Sequence, residues 1–221
     1  MITVHYLNDS RAHRIVWLLE ELGVDYDIKQ YTRRADMRAP ADLKAIHPLG
    51  KSPVIEDSGI VVAETGAIIE YLIGKYGKGR NLVPKGEEEK RRYSYWLHYA
   101  EGSAMPLLLL RLIFGQLPVR SPFIIRPFAR AISSAVTARL IAPQIDDHLG
   151  FWEHELARDG FFAGPDFSAA DIMMSFPVET GMGRVDYHGK REAIDAWLAA
   201  IRERPAYQKA LERGGAYRFA A

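Results

Sequence analysis

Ile2 to Leu22 reads ITVHYLNDSRAHRIVWLLEEL, and this stretch decides the fold. Ile2 to Leu7 is a short β-prone run, and Asn8-Asp9-Ser10 is a polar turn. Ile15, Leu18, Leu19 and Leu22 then recur on one face of a helix. Gly23 ends that helix as a glycine just past a C-terminus does. Tyr26 to Tyr31 follows as a second β run, so the chain opens on a strand–helix–strand unit. Open α/β sheets bind ligands where a strand's carboxyl end meets a helix start, because unpaired N–H groups and the helix dipole favour an anion there. A hydroxyl such as that of Ser10 can donate to a bound thiolate at this point. Equally, Ser10 or Asn8 can serve only as a helix cap. Both readings stand on pattern alone.

Outward from this unit, residues 40–46 suit a short helix set between Pro40 and Pro48. Val54 to Glu56 and Ile60 to Ala63 read as a hairpin across Asp57-Ser58-Gly59. A helix from about Thr65 to Tyr76 carries Ile68, Ile69, Leu72 and Ile73 on one side. The order β-α-β-α-β-β-α predicts a small mixed sheet with helices on both faces. Residues 77–86 are rich in Gly, Pro and Lys and read as a linker. Glu87-Glu88-Glu89 then opens a helix, with acidic groups at the positive end of its dipole. Helical spacing continues over about 87–116, 122–158, 168–182, 190–203 and 205–213, with Pro122, Pro127 and Pro143 expected to kink or divide the second. The expectation is an α/β domain over 1–80 and an all-helical domain over 87–221.

The chain has 221 residues, with 29 Lys and Arg against 28 Asp and Glu, a formal charge of +1. That balance argues against nucleic-acid binding by bulk electrostatics. A small anion, however, needs only a few placed cations. The sequence has no cysteine, which removes disulfides, thiolate metal sites and a cysteine nucleophile. Any thiol chemistry must use a ligand's sulfur. Residues 1–6 lack the plan of a signal peptide, and the densest apolar run, Met105 to Leu110, is stopped by Arg111. The expectation is a cytoplasmic protein without a membrane span.

Two further constellations join the first turn. In His47-Pro48-Leu49-Gly50-Lys51-Ser52-Pro53-Val54, a proline directly before a strand can be cis, which would turn the Ser52 backbone outward toward a peptide-like ligand. Lys51 and His47 can hold a carboxylate, or can be solvated surface charge. In Ala63-Glu64-Thr65-Gly66-Ala67, Glu64 can take an ammonium group and Thr65 a carboxylate at a helix start, or the pair can act as a cap. Together the three turns suit a short peptide carrying a central thiol.

On these residues the sequence resembles the glutathione S-transferase superfamily. Asn8-Asp9-Ser10-Arg11 with Arg14 to Leu22, His47 to Val54, and Glu64 to Ile68 carry the resemblance. Ser168-Ala169-Ala170-Asp171-Ile172 looks like that family's capping box. Glu101-Gly102-Ser103 and Asp171 to Pro177 look most like the microbial subgroup typified by a yeast endoplasmic-reticulum-associated transferase and its bacterial relatives. The resemblance implies a thioredoxin-like N-terminal domain that binds glutathione, a helical C-terminal domain, and an apolar co-substrate pocket between them. It implies that Pro53 is the family's cis proline and that Ser52 pairs through its backbone. It assigns Glu64 and Thr65 to the γ-glutamyl end, and Lys51 with His47 to the glycine carboxylate. The family usually has Ser where Thr65 stands; the hydroxyl is kept.

Ser10 falls where serine-type members place the activating hydroxyl, Tyr6 near the tyrosine of tyrosine-type members, and Asn8 is a third donor. Helical phase points to Tyr6, Leu7, Tyr99, Met105, Leu109, Arg111 and Phe114 as the pocket wall. The implied reaction is conjugation of the glutathione thiolate to a small apolar electrophile, with peroxidase activity as a further possibility. Two alternatives stay open: a non-catalytic glutathione-binding module, and a glutathione-dependent disulfide reductase. A homodimer is also implied. Elsewhere, Ser10 and His13 lack an evident Asp partner for a hydrolase triad. His148, His154, Asp146-Asp147, Arg126 and Arg130 read as surface groups, and no metal site is expected.

Overall fold

The computed structural model describes residues 1–183, 189–215 and 217. β1 (Ile2–Leu7) lies parallel to β2 (Tyr26–Tyr31), with Ile2 opposite Tyr26 and Leu7 opposite Tyr31. On its other side it pairs antiparallel with β3 (Val54–Asp57), which in turn pairs antiparallel with β4 (Ile60–Ala63). The sheet order is β2-β1-β3-β4, so β4 is an edge. Side chains alternate across β1. Ile2, Val4 and Tyr6 join the main core with α1 (Ala12–Leu22) and α3 (Thr65–Tyr76). Leu7 faces the other way, into a small cluster with Tyr31, Ala39 and Leu43 of α2 (Ala41–Ile46). This is a thioredoxin-like sheet with helices on both faces. Gly23, at φ +64°, closes α1 in the left-handed conformation its position requires.

Asp57 ties the β3–β4 hairpin to α3. Its buried carboxylate accepts from Lys75 (2.6 Å), Tyr76 (2.7 Å) and Tyr71 (2.9 Å). Burial pushes this carboxyl upward, but those bonds outweigh it and hold the group well below the usual range.

Beyond residue 86 the described chain is helical. α4 (Glu87–Tyr99) runs into α5 (Met105–Arg120) through a π-helical turn at Ala100–Ala104. The expected stop near 116 falls instead at Arg120, with Pro118 carried inside the last turn of α5. The second expected helix begins at Arg126 rather than 122, because Pro122 lies in the turn before α6 (Arg126–Val136). A π-helical turn at Thr137–Ile141, not a break at Pro143, joins α6 to α7 (Ala142–Asp159). Glu87–Arg120 as one helical run is long and apolar enough to cross a bilayer by length and composition, a property that core helices share.

α8 (Ala169–Met182) is the axis of the helical region, with every residue from Ala169 to Gly181 buried. Such all-round burial needs a well-made start. Ser168 Oγ accepts the Ala170 N–H, and Asp171 Oδ2 accepts the Ser168 N–H at 2.9 Å. Asp171 Oδ1 takes the Phe162 N–H and the Trp197 indole as well, so one buried carboxylate joins α8 to α9 (Glu192–Arg202). α10 (Pro205–Gly214) packs back onto α1.

Candidate glutathione site

The site grows from the end of β1. Ser10 is buried, and its Oγ accepts the Ala12 N–H at 3.2 Å while donating to Ser52 Oγ at 3.3 Å. Ser52 Oγ in turn donates to the His5 carbonyl at 2.8 Å and accepts the Leu7 N–H. Ser10 therefore satisfies the first N–H of α1 from one residue before the N-cap, Arg11, which has no side-chain cap bond. Its proton is held only by a long bond to Ser52, so the hydroxyl can turn outward and donate to an arriving anion. The Ser52–Pro53 peptide bond is cis. Among the described residues, neither the N–H nor the C=O of Ser52 has a hydrogen-bond partner.

Ser10, Lys51 and Ser52 line one cleft of about 340 Å³, together with Arg11, Arg33, Arg38 and Lys44. Five of its lining side chains are cationic and none is acidic. Sequence reasoning foresaw Lys51 alone among them. The others sit on the turn after β2, on α2 and beside Ser10, and only the fold gathers them.

Several expected residues stand elsewhere or do other work. Tyr6 alternates onto the opposite sheet face, where it is buried against Gly214 of α10. Burial pushes its hydroxyl up to about 12, so it stays protonated inside the core. Asn8 pins the turn after β2: its Oδ1 accepts the Arg33 N–H at 2.7 Å, and its carbonyl accepts Arg33 Nε. His47 caps α2 with its Nδ1 buried and unpartnered among the described residues, away from the cleft. The Thr65 hydroxyl is buried and accepts from Arg14 Nη2 at 3.3 Å, which leaves the first-turn N–H groups of α3 as the donors. Glu64 is exposed at the start of α3 and holds φ +71°, an uncommon conformation for a residue other than glycine.

Arg14, fully buried, reaches Glu101 Oε1 at 2.5 Å and the Met173 carbonyl at 2.6 Å. Arg11 reaches the same Glu101 oxygen at 2.9 Å. Glu101 stands on the first π-helical turn, so this turn places one carboxylate under both guanidiniums. Burial pushes Glu101 up, but the two arginines outweigh it and hold the carboxyl below the usual range. The pair links the Ser10 turn, α3 and the helical region. Its signal was present in the Arg11, Arg14 and Glu101 motifs, but not the partnership.

The seven residues expected to form the co-substrate wall are not brought together. Leu7 lines the cationic cleft, Tyr6, Tyr99 and Met105 are buried, Leu109 is exposed and lines neither cleft, and Arg111 and Phe114 line a different cleft between α5 and α6. His13 is buried with both ring nitrogens unpartnered among the described residues, stacked on Tyr217 at 4.3 Å. Burial drives it down to about 3, so it is at most a weak base, and neither ring nitrogen makes a hydrogen bond to Ser10. His148 is half-buried against Tyr99 and Trp152 rather than a surface group. No cluster of metal-ligating side chains occurs among the described residues.

A thioredoxin-like sheet with an α/β ligand turn, joined to a helical region, defines the class of the protein. Residues 1–73 match the glutathione S-transferase N-terminal domain. The chain is 36% identical over 219 residues to glutathione S-transferase 3 of Schizosaccharomyces pombe, spanning 96% of this chain and 88% of that one. It is 32% identical to glutathione S-transferase 1 of Saccharomyces cerevisiae, spanning 98% and 96% of the two chains. A crystal structure of a glutathione S-transferase from Actinobacillus pleuropneumoniae superposes with a TM-score of 0.75 at 32% identity, over 100% of this chain and 96% of that one. The chain belongs to the glutathione S-transferase family, with yeast and bacterial members among its relatives, and glutathione is its co-substrate.

Proposed function

We propose that the protein conjugates the thiolate of glutathione to small apolar electrophiles, with Ser10 as the hydroxyl that stabilises the thiolate. The observation that carries this reading is the position of Ser10 in the cationic cleft, beside the unpaired Ser52 backbone. A free thiol has a pKa of roughly 8.5, so little is ionised at neutral pH. A hydroxyl donor, the start of α1 and the Arg11 charge all favour the anion and lower that value. The sulfur attacks the electrophilic carbon and the leaving group departs with its electron pair.

Lys51 receives the glycine carboxylate, the Ser52 N–H and C=O pair with the central peptide, and Glu64 with the start of α3 receives the γ-glutamyl end. The reaction needs glutathione held as the thiol, which favours a reducing compartment, the cytoplasm. Detoxification of electrophiles is the role this chemistry suits.

A homodimer is part of the proposal. The edge strand β4 exposes Ile60 and Val61, and the helical region exposes Tyr95 beside Phe151. Two such surfaces on one chain suit a two-fold contact between the sheet domain of one copy and the helices of the next. Light scattering of the protein tests this directly.

An activity panel tests the chemistry: a chlorinated nitroarene, cumene hydroperoxide and a small disulfide, each with glutathione. Conjugation of the nitroarene is expected. Tight glutathione binding without activity on any of the three would favour the non-catalytic module, and activity on the disulfide alone the reductase.

A further inference from the structure

α5 and α6 form a helical hairpin whose apex is the turn at residues 121–125. Apolar exposure rises along it. Leu107 and Leu108 are buried at the base, whereas Phe123 and Ile124 at the apex are 83% and 80% exposed, and Phe128 is 73% exposed. An apolar patch of this kind, gathered on one projecting element, marks an interaction surface. From Gly102 to Ile145 the chain carries five arginines, Arg111, Arg120, Arg126, Arg130 and Arg139, and no Lys, Asp or Glu. The rest of the chain has 24 Lys and Arg against 28 Asp and Glu, so the basic excess is local to the hairpin.

A cleft of about 360 Å³ opens between the two helices and is lined by Arg111, Arg130, Ser133, Ser134 and Thr137. Ser133 is 5% exposed, and its hydroxyl has no partner among the described residues. The Arg111 guanidinium lies over Gly115, with Nη1 at van der Waals distance, 3.5 Å, from where a Cβ would stand. A buried hydroxyl without a partner costs stability unless something supplies one. Beside two guanidiniums, an oxyanion supplies it best.

We propose that this hairpin is a peripheral docking surface for anionic phospholipid bilayers. The apex side chains enter the acyl boundary, and the cleft of Arg111, Arg130 and Ser133 receives a headgroup phosphate. Arg120 and Arg126 flank the apex, where long basic side chains keep their charge at the headgroup level while their neighbours insert. Anionic lipid complements the charge of the whole segment. A second copy meeting this face symmetrically would set arginine against arginine with no carboxylate from the segment to offset them.

The test is flotation of the full-length protein with vesicles of phosphatidylcholine alone and of phosphatidylcholine with phosphatidylglycerol, at low and high salt. The expected result is at least tenfold more protein on the phosphatidylglycerol vesicles, reduced by salt because surface charge is screened. The combined variant Phe123→Ser, Ile124→Ser and Phe128→Ser changes exposed side chains only. It should lose about tenfold of the vesicle binding while keeping its circular dichroism and transferase activity. Arg111→Gln with Arg130→Gln should abolish the preference for phosphatidylglycerol.

Three results overturn the proposal. One is equal absence from both vesicle types. Another is binding of inorganic phosphate that depends on Arg111 and Arg130 without any vesicle binding, which makes the cleft a soluble-anion site. The last is an apex variant that dissociates an oligomer in light scattering while the parent ignores vesicles, which makes the face a contact between copies. None of these depends on turnover, so failure here leaves the transferase reading standing.

Discussion

Ser10 illustrates how one residue can satisfy two readings. Its oxygen accepts the Ala12 N–H at the start of α1, and its proton rests on a long bond to Ser52, so holding the helix start and the proposed thiolate donation would use different parts of one hydroxyl. Ser10→Ala should lower turnover by roughly tenfold or more, the loss of one thiolate donor, with glutathione affinity little changed in steady-state kinetics. Unchanged turnover would remove Ser10 from the mechanism. Tyr6 cannot inherit the role without leaving the core, because it packs against Gly214 with its hydroxyl pushed up to about 12. Lys51 is exposed on the cleft and should act on binding alone. Lys51→Ala is expected to raise the KM for glutathione roughly fivefold, about 1 kcal/mol, at unchanged kcat, and less so at high salt.

At the scale of elements, what the sequence made legible follows from local physics. β1, α1, β2 and α3 were readable because alternation, one-sided apolar spacing and a terminal glycine act within a few residues. The α8 capping box was readable for the same reason. The facing ends of α5 and α6, at Arg120 and Arg126, were not, because α5 carries Pro118 inside it while Pro122 falls in the turn, and sequence alone does not say which proline a helix absorbs. The candidate site divides in the same way. Ser10, Ser52 and Lys51 lie in short motifs at element ends. Arg33, Arg38 and Lys44 join them only through packing. The expected wall did not assemble because Tyr6 and Leu7 point to opposite sheet faces and the π-helical turn between Tyr99 and Met105 shifts the helical phase. The Arg14–Glu101 pair is another long-range product. Glu101→Gln weakens a carboxylate that faces a fully buried guanidinium, so it should cost on the order of 3 kcal/mol in urea denaturation. A loss within experimental error would mean that Arg14 finds sufficient acceptors in Met173 and Thr65.

At the scale of the whole molecule, the α1–α8–α10 junction carries a titrating group. Burial pushes Glu179 up to about 7, although the Tyr207 and Tyr217 hydroxyls both donate to it. Its folded value lies above its ordinary value of 4.5, so between about pH 4.5 and 7 the unfolded chain releases a proton that the fold retains. Stability from this group is therefore fully present below pH 4.5 and is lost as pH rises toward 7. Asp57 has the opposite sign, since its folded value is depressed and its contribution is lost only toward acid. Urea midpoints measured across that window should fall with pH in the parent and flatten in Glu179→Gln; an unchanged slope would assign the titration elsewhere.

The central claim is that the protein supplies no thiol of its own and instead activates the sulfur of glutathione in the cleft beside Ser10. The most direct measurement is the pH titration of thiolate absorbance for glutathione bound to the parent protein and to Ser10→Ala. The account predicts an apparent pKa below the roughly 8.5 of a free thiol in the parent, moving back toward that value in the variant. A bound thiol that titrates at the same pH in both proteins would contradict it.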